Sequence, residues 1–147
     1  MSHNYSRNVV HLVFSTKGRG KRVSRDFQPK LWAYIGGICK REGIFVHAIG
    51  ETADHLHCLT QLPPTQTLAK TINAIKSNSS RWMRQSSRLF VWREGYAAFS
   101  VSASLLPTIR RHVQNQEPHH RRMSFEDEFL ALLTKHGVDY DPKFVLG

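Results

Sequence analysis

The sequence predicts an α+β fold: a ferredoxin-like split βαβ core with an antiparallel sheet, an added strand and C-terminal helices. Three observations predict it. Short runs rich in β-branched residues resemble strands, other segments repeat apolar residues at helical spacing, and glycine or proline separates many of them. The elements follow the order β-α-β-β-α-β-β-α-α. We expect a single domain over residues 1–147, with 124–147 as a C-terminal helix and tail.

The first half of the chain contains three predicted strands and one predicted helix. The strands are Val9–Thr16, Ile44–Glu51 and His55–Leu62, where β-branched, aromatic and other apolar residues dominate. A three-residue turn separates the last two strands, which predicts an antiparallel hairpin. Phe27–Glu42 has apolar residues at helical intervals and is followed by glycine, so this segment is predicted to be a helix.

The second half contains three predicted helices and two predicted strands. Thr67 is suited to cap a helix that carries an apolar stripe from Leu68 to Trp82. Leu89–Trp92 and Tyr96–Ser102 are predicted strands. Leu106–Gln116 is a predicted helix with proline in its first turn, and Ser124–His136 is another, opened by a capping box.

The charge of the chain favours a polyanionic partner. The net charge is +10, and residues 17–25 and 65–92 carry lysines and arginines without any acidic residue. Such segregated positive charge is typical of nucleic-acid binding, although a solvated basic face is the alternative. We find no apolar run close to membrane-spanning length and no signal-peptide pattern, so we expect a soluble cytoplasmic protein without a membrane partner.

Two histidines in the segment DHLHCL are the first candidate site. Residues i and i+2 of a strand project to the same face, so His55 and His57 lie side by side while Leu56 and Cys58 point into the core. Two imidazoles in this arrangement bind a divalent metal or remain hydrogen-bonded surface groups. The pair alone leaves both interpretations open.

A second pair on the helix 106–116 supports a metal site. His112 and Gln116 are four residues apart and therefore share one helical face. If this face packs against the strand that carries His55 and His57, the glutamine oxygen adds to the two imidazole nitrogens. A polar face on a surface helix is the alternative.

Several segments together resemble the HUH-type tyrosine transposases, which include single-strand insertion-sequence transposases and their REP-associated relatives. The matching segments are HLVFSTKGR at 11–19, DHLHCL at 54–59, WREGYAAFSVS at 92–102, VQNQEPHH at 113–120 and SFEDEFLALLTKHGVDYD at 124–141. The resemblance covers nearly the whole chain.

The resemblance implies a site and a reaction. It implies that His55 and His57 are the HUH pair and that Gln116 is a third ligand to Mg²⁺ or Mn²⁺. It also implies that a tyrosine four residues before the glutamine attacks the scissile phosphate, which gives a 5′-phosphotyrosine link and a free 3′-OH.

The chain departs from this pattern at the nucleophile, because His112 stands where the family has tyrosine. Three explanations remain open. In the first, the protein is a relative that binds DNA without cutting it. In the second, His112 is an engineered or incidental change in an otherwise active enzyme. In the third, His112 itself, or a tyrosine elsewhere in the chain, attacks the phosphate. A small metal-dependent phosphohydrolase is a weaker alternative, because the basic segments argue against a small-molecule substrate.

The resemblance also implies partners. Relatives recognise single-stranded DNA hairpins and work as twofold homodimers, although REP-associated relatives can be monomeric. Eight basic side chains are candidates for contacts to the DNA backbone, which would make the affinity salt-dependent. They are Lys17, Arg19, Lys21, Arg22, Lys76, Arg81, Arg84 and Arg88.

Overall fold

The computed structural model describes residues 5–17, 23–51, 54–115, 124–143 and 145. Within these residues the chain forms four strands and four helices. The strands are β1 (Asn8–Ser15), β2 (Phe45–Glu51), β3 (His55–Leu62) and β4 (Ala97–Val101). The helices are α1 (Gln28–Arg41), α2 (Leu68–Met83), α3 (Leu106–Gln114) and α4 (Phe125–Lys135).

The four strands form one antiparallel sheet in the order β2-β3-β1-β4. Strand β3 pairs with both β1 and β2, so β1 and β2 run parallel on either side of it, and α1 connects them. The same relation holds for β3 and β4, with β1 between them and α2 as the connection. This is the predicted ferredoxin-like split βαβ arrangement.

The prediction of an added strand at Leu89–Trp92 was wrong, because this segment forms no strand. Of this segment only Trp92 pairs with the sheet, in an isolated bridge to Thr16. The Trp92 ring is buried edge-on against Phe14, and its Nε1–H donates a 2.9 Å hydrogen bond to Ser79 Oγ of α2. The aromatic residues that resembled a strand are therefore anchors of an irregular segment that packs under the helices.

Both faces of the sheet are covered. On one face Leu12 and Cys58 pack against Leu31 of α1 and Ile75 of α2, in the largest hydrophobic cluster of the described residues. On the other face α3 packs over Val9 and Leu59 through Leu106 and Val113. Helix α4 packs over Val13, Ala97 and Phe99 through Phe129 and Leu133.

The helix ends follow the sequence signals. Thr67 Oγ1 accepts a hydrogen bond from the Lys70 N–H, and Ser124 Oγ accepts one from the Asp127 N–H, so both predicted N-caps are confirmed. Gly137 ends α4 with a positive φ of 66°. Among the described residues, none of the helices has the length and apolar character needed to cross a bilayer.

Candidate metal centre

Strand β3 places His55 and His57 on the face of the sheet that α3 and α4 cover. Their exposed fractions are 1% and 0%. Leu56 and Cys58 point to the opposite face and belong to the cluster under α1 and α2, as the two-residue period of a strand requires. The two imidazoles therefore lie inside the protein, beneath the C-terminal helical layer.

Helix α4 brings a carboxylate to these histidines. Glu128 is 3% exposed, and its Oε1 lies 2.8 Å from His57 Nε2. Its Oε2 lies 3.2 Å from Nε2 of His112, which is on α3. One buried carboxylate thus joins the strand histidine to the helix histidine.

The donor atoms fit a divalent cation. One ligand atom each from His55, His57 and Glu128 lies within 4.8 Å of the others. Inside the protein, His57 Nε2 and Glu128 Oε1 face each other at 2.8 Å, so both atoms are directed at the same point. Two imidazole nitrogens and a carboxylate are a donor set that suits a divalent metal.

Neighbouring side chains orient the two strand histidines. His57 Nδ1 lies 2.7 Å from His11 Nε2 on β1, and the two rings stack with centroids 5.0 Å apart. His55 Nδ1 lies 3.0 Å from Asp54 Oδ1. The Phe125 ring stacks on His55 at a centroid distance of 4.2 Å. Such contacts fix the ring orientation and tautomer of a metal-binding histidine.

Burial controls the charge of the site. It lowers the pKa of His57 to about 4, although the nearby Glu128 carboxylate partly raises that pKa. Burial also lowers the pKa of His11 well below its usual value, and the neighbouring His57 lowers it further. Both imidazoles are therefore neutral at pH 7, which is the form that binds a metal.

Helix α3 brings His112 to the edge of the cluster. Its ring centroid is 6.0 Å from that of His57, and its side chain is 29% exposed. The predicted approach of this helical face to β3 is thus observed at His112. Gln116, the third ligand implied by the resemblance, lies outside the described residues.

Sequence reasoning missed Glu128. It assigned the acidic first turn of α4 only to a capping box, yet α4 turns Glu128 toward the histidines of β3. One signal was available: Glu128 shares the apolar stripe of α4, three residues after Phe125 and four before Leu132. An acid in such a stripe is buried only with a partner.

The structure separates three of the eight predicted DNA contacts from this centre. Lys76 and Arg81 are on α2, and Arg84 directly follows its last residue; this helix packs on the other face of the sheet. Lys76 Nζ donates to the Arg93 and Gly95 carbonyls, and burial lowers its pKa. The ammonium group of Lys76 therefore holds the loop that contains Arg93 and Gly95.

The other basic candidates have varied positions. Lys17, Arg81, Arg84 and Arg88 are exposed, and Lys17 directly follows the Thr16 bridge at the end of β1. Arg19, Lys21 and Arg22 lie outside the described residues.

Comparison with known proteins gives one family and two similar structures. The sequence profile described as "Transposase IS200 like" matches residues 4–116. A crystal structure from Deinococcus radiodurans R1, provisionally described as a transposase, has a TM-score of 0.64 and 20% identity. The alignment covers 79% of this chain and 95% of that chain. A REP-associated tyrosine transposase bound to a REP hairpin has a TM-score of 0.56 and 14% identity, over 77% and 67% of the two chains. No match is found among curated protein sequences.

Proposed function

Because this chain belongs to the family of IS200-like transposases, we propose that it binds single-stranded DNA hairpins and holds one phosphodiester at a divalent metal. His55, His57 and Glu128 would bind the ion, Mg²⁺ or Mn²⁺, and His112 stands in the position of the nucleophile. The observation that carries the proposal is the convergence of these three buried ligand groups. The similar structure described as bound to a REP hairpin supports the choice of DNA.

Each residue has a defined task in this proposal. When bound, the cation would polarise the scissile phosphate and stabilise charge on the leaving 3′ oxygen. Neutral His57 offers its Nε2 lone pair at pH 7 because burial lowers its pKa. Glu128 supplies negative charge that offsets part of the cation's charge. Gln116 remains a predicted additional oxygen ligand.

The DNA would enter beside His112 and Asp54. These side chains are 29% and 42% exposed, whereas His55, His57 and Glu128 are buried. Attack by an imidazole nitrogen of His112 would form an N–P bond and break the P–O3′ bond, and the 3′ oxygen would leave as an alcohol after taking a proton. A tyrosine in the same place would give the phosphotyrosine link that the family resemblance implies.

The first experiment compares the chain with its His112→Tyr variant. Each protein is incubated with Mn²⁺ and labelled single strands from both flanks of its gene, then separated on a denaturing protein gel. Native binding is measured in parallel. A labelled adduct with the unchanged protein supports attack by His112 or another residue, and peptide mapping identifies it. An adduct only with His112→Tyr indicates a metal site and DNA surface that lack the nucleophile.

A matched pair of variants tests the metal ligands. Glu128→Gln removes the buried carboxylate charge, whereas Glu126→Gln changes an acid in the same first turn of α4. We expect Glu128→Gln and His57→Ala to weaken Mn²⁺ binding and abolish any adduct, and Glu126→Gln to leave both unchanged. An adduct of normal yield with His57→Ala would contradict the proposed site.

The alternative is a DNA-binding protein without cleavage activity. The imidazole at position 112 favours it, because a phosphoramidate is labile and the shorter ring reaches less far than a tyrosine. This alternative predicts hairpin binding that survives chelation, with no adduct from either protein. Absence of binding to both hairpins and duplex DNA at low salt would contradict both functions.

We further propose a twofold homodimer in the cytoplasm, with no membrane or small-molecule partner. Closed twofold arrangements are the commonest homo-oligomers, and the family resemblance supports one here. Light scattering coupled to gel filtration measures the mass directly, with and without a hairpin. A mass of one chain under both conditions would exclude the dimer.

A further inference from the structure

A cavity of about 370 Å³ lies beside the candidate metal centre, between the edge strand β4 and helix α4. Its lining is largely aromatic, with contributions from the end of β1, residues 93–96 and the segment after α4. The aromatic residues in the lining are Phe14, Tyr96, Phe99, Phe125, Phe129 and Tyr140. This volume is in the range of small-molecule sites, and aromatic faces are the surfaces on which single-stranded bases stack.

Phe125 connects this cavity to the metal centre. Its ring lines the cavity and also stacks on the imidazole of His55, at 4.2 Å and an interplanar angle of 28°. His55, His57 and Glu128 do not line the cavity, so a ligand in the cavity and a metal at these side chains would occupy separate positions. A nucleotide with its phosphate beside His55 therefore has an aromatic compartment within reach of its own base.

The cavity also carries polar groups suited to a base edge. Arg93 lines it, and the buried Nε of Arg93 has no hydrogen-bond partner in the part of the chain that the structure describes. An unpaired buried donor is unfavourable, and an acceptor on a ligand would satisfy it. The wall is held in place, since the Arg93 N–H donates to the Ser15 carbonyl at 2.8 Å and Lys76 Nζ donates to the Arg93 carbonyl at 2.9 Å.

The polar groups favour one base over the others. Guanine presents two acceptors, O6 and N7, to arginine, and its N1–H and N2–H groups are donors. Arg93 supplies donors, and the exposed carboxylate of Glu94, also in the lining, supplies an acceptor for the opposite edge. An acidic apolar peptide fits less well, because it would place further negative charge beside Glu94.

We propose that this cavity binds one unpaired base, with guanine preferred, of the DNA strand whose phosphate lies at the histidine centre. The position of the strand rests on the proposed function. The cavity itself is tested without metal and without a hairpin. A failure of the cavity is therefore distinguishable from a failure of the proposed function.

The test is an NMR titration of the whole, metal-free chain with each of dGMP, dAMP, dCMP and dTMP. We expect saturable shifts of the Phe129 and Tyr140 ring signals, with the tightest binding for dGMP. Tyr96→Ala, at a side chain 43% exposed, should weaken binding roughly tenfold, because stacking on one ring contributes about 1–3 kcal/mol. Tyr5→Ala, at a tyrosine 94% exposed and outside the cavity, should have no effect.

A further variant tests the polar edge. Arg93→Met keeps most of the side-chain length and should remove the preference for dGMP over dAMP. Absence of ring shifts with all four nucleotides up to about 20 mM overturns the proposal. Equal binding by Tyr96→Ala, with an unchanged circular dichroism spectrum, also overturns it. Ring shifts that follow protein concentration alone would show that a second copy of the chain occupies the cavity instead.

Discussion

The contact between His11 and His57 gives the sharpest prediction about the metal centre. The two imidazoles are 2% and 0% exposed, and their facing nitrogens are 2.7 Å apart. Since burial keeps both rings neutral at pH 7, only one of these nitrogens carries the shared proton. A metal on His57 Nε2 requires that proton to be on Nδ1, so Nδ1–H donates and His11 Nε2 accepts.

Replacing His11 with phenylalanine removes this acceptor and keeps a ring of similar size. The metal-bound form of His57 would then hold a buried N–H without its partner, at a cost of about 1–3 kcal/mol. This corresponds to Mn²⁺ binding weakened by about 5- to 150-fold. The range agrees with the 10- to 100-fold typical of residues that orient metal ligands. His11→Gln retains an acceptor oxygen and should recover most of the affinity.

Calorimetry with Mn²⁺ measures the affinity, and ring ¹⁵N NMR with diamagnetic Mg²⁺ identifies the tautomer of His57. We expect the wild-type protein to show a proton on Nδ1 and His11→Phe to show a mixture of tautomers. His47→Phe is the control, because His47 is on β2 and contacts Gln61 and Arg110. An affinity within twofold of wild type in His11→Phe, with the same His57 tautomer, would refute the reasoning.

Three further outcomes follow from the same contacts. Unfolded His57 takes up a proton near pH 6.5 and folded His57 near pH 4, so the unfolded chain binds more protons between these values. The metal-free protein should therefore lose about 3 kcal/mol of stability as pH falls through this window, and urea unfolding of wild type and His57→Leu checks this difference. Mn²⁺ at 100 times its Kd should stabilise the fold by about 2.7 kcal/mol, and differential scanning calorimetry should show no such gain for His55→Ala. Hairpin affinity should fall steeply with salt, and Arg88→Ala should reduce the logarithmic slope by about 0.7–0.9 if this exposed residue contacts a phosphate.

Local sequence signals predicted most elements of the fold. Strand periodicity placed His55 and His57 on one face, because alternation depends only on the backbone of β3. Thr67 and Ser124 marked the starts of α2 and α4, since a cap needs only residues within the first turn. The strand predicted at Leu89–Trp92 is absent, because an irregular segment with buried aromatic residues has the same composition as a strand.

By itself, the sequence determined the order of the elements (apart from the extra strand at Leu89–Trp92), the histidine pair and the family resemblance that singled out position 112. Only the tertiary structure decided which groups complete the centre. Glu128 reaches His57 because α4 packs across the sheet, and His11 reaches it because β1 pairs beside β3 in one particular register. These contacts join residues far apart in the chain, and helix packing and strand register set them, so no local pattern specifies them.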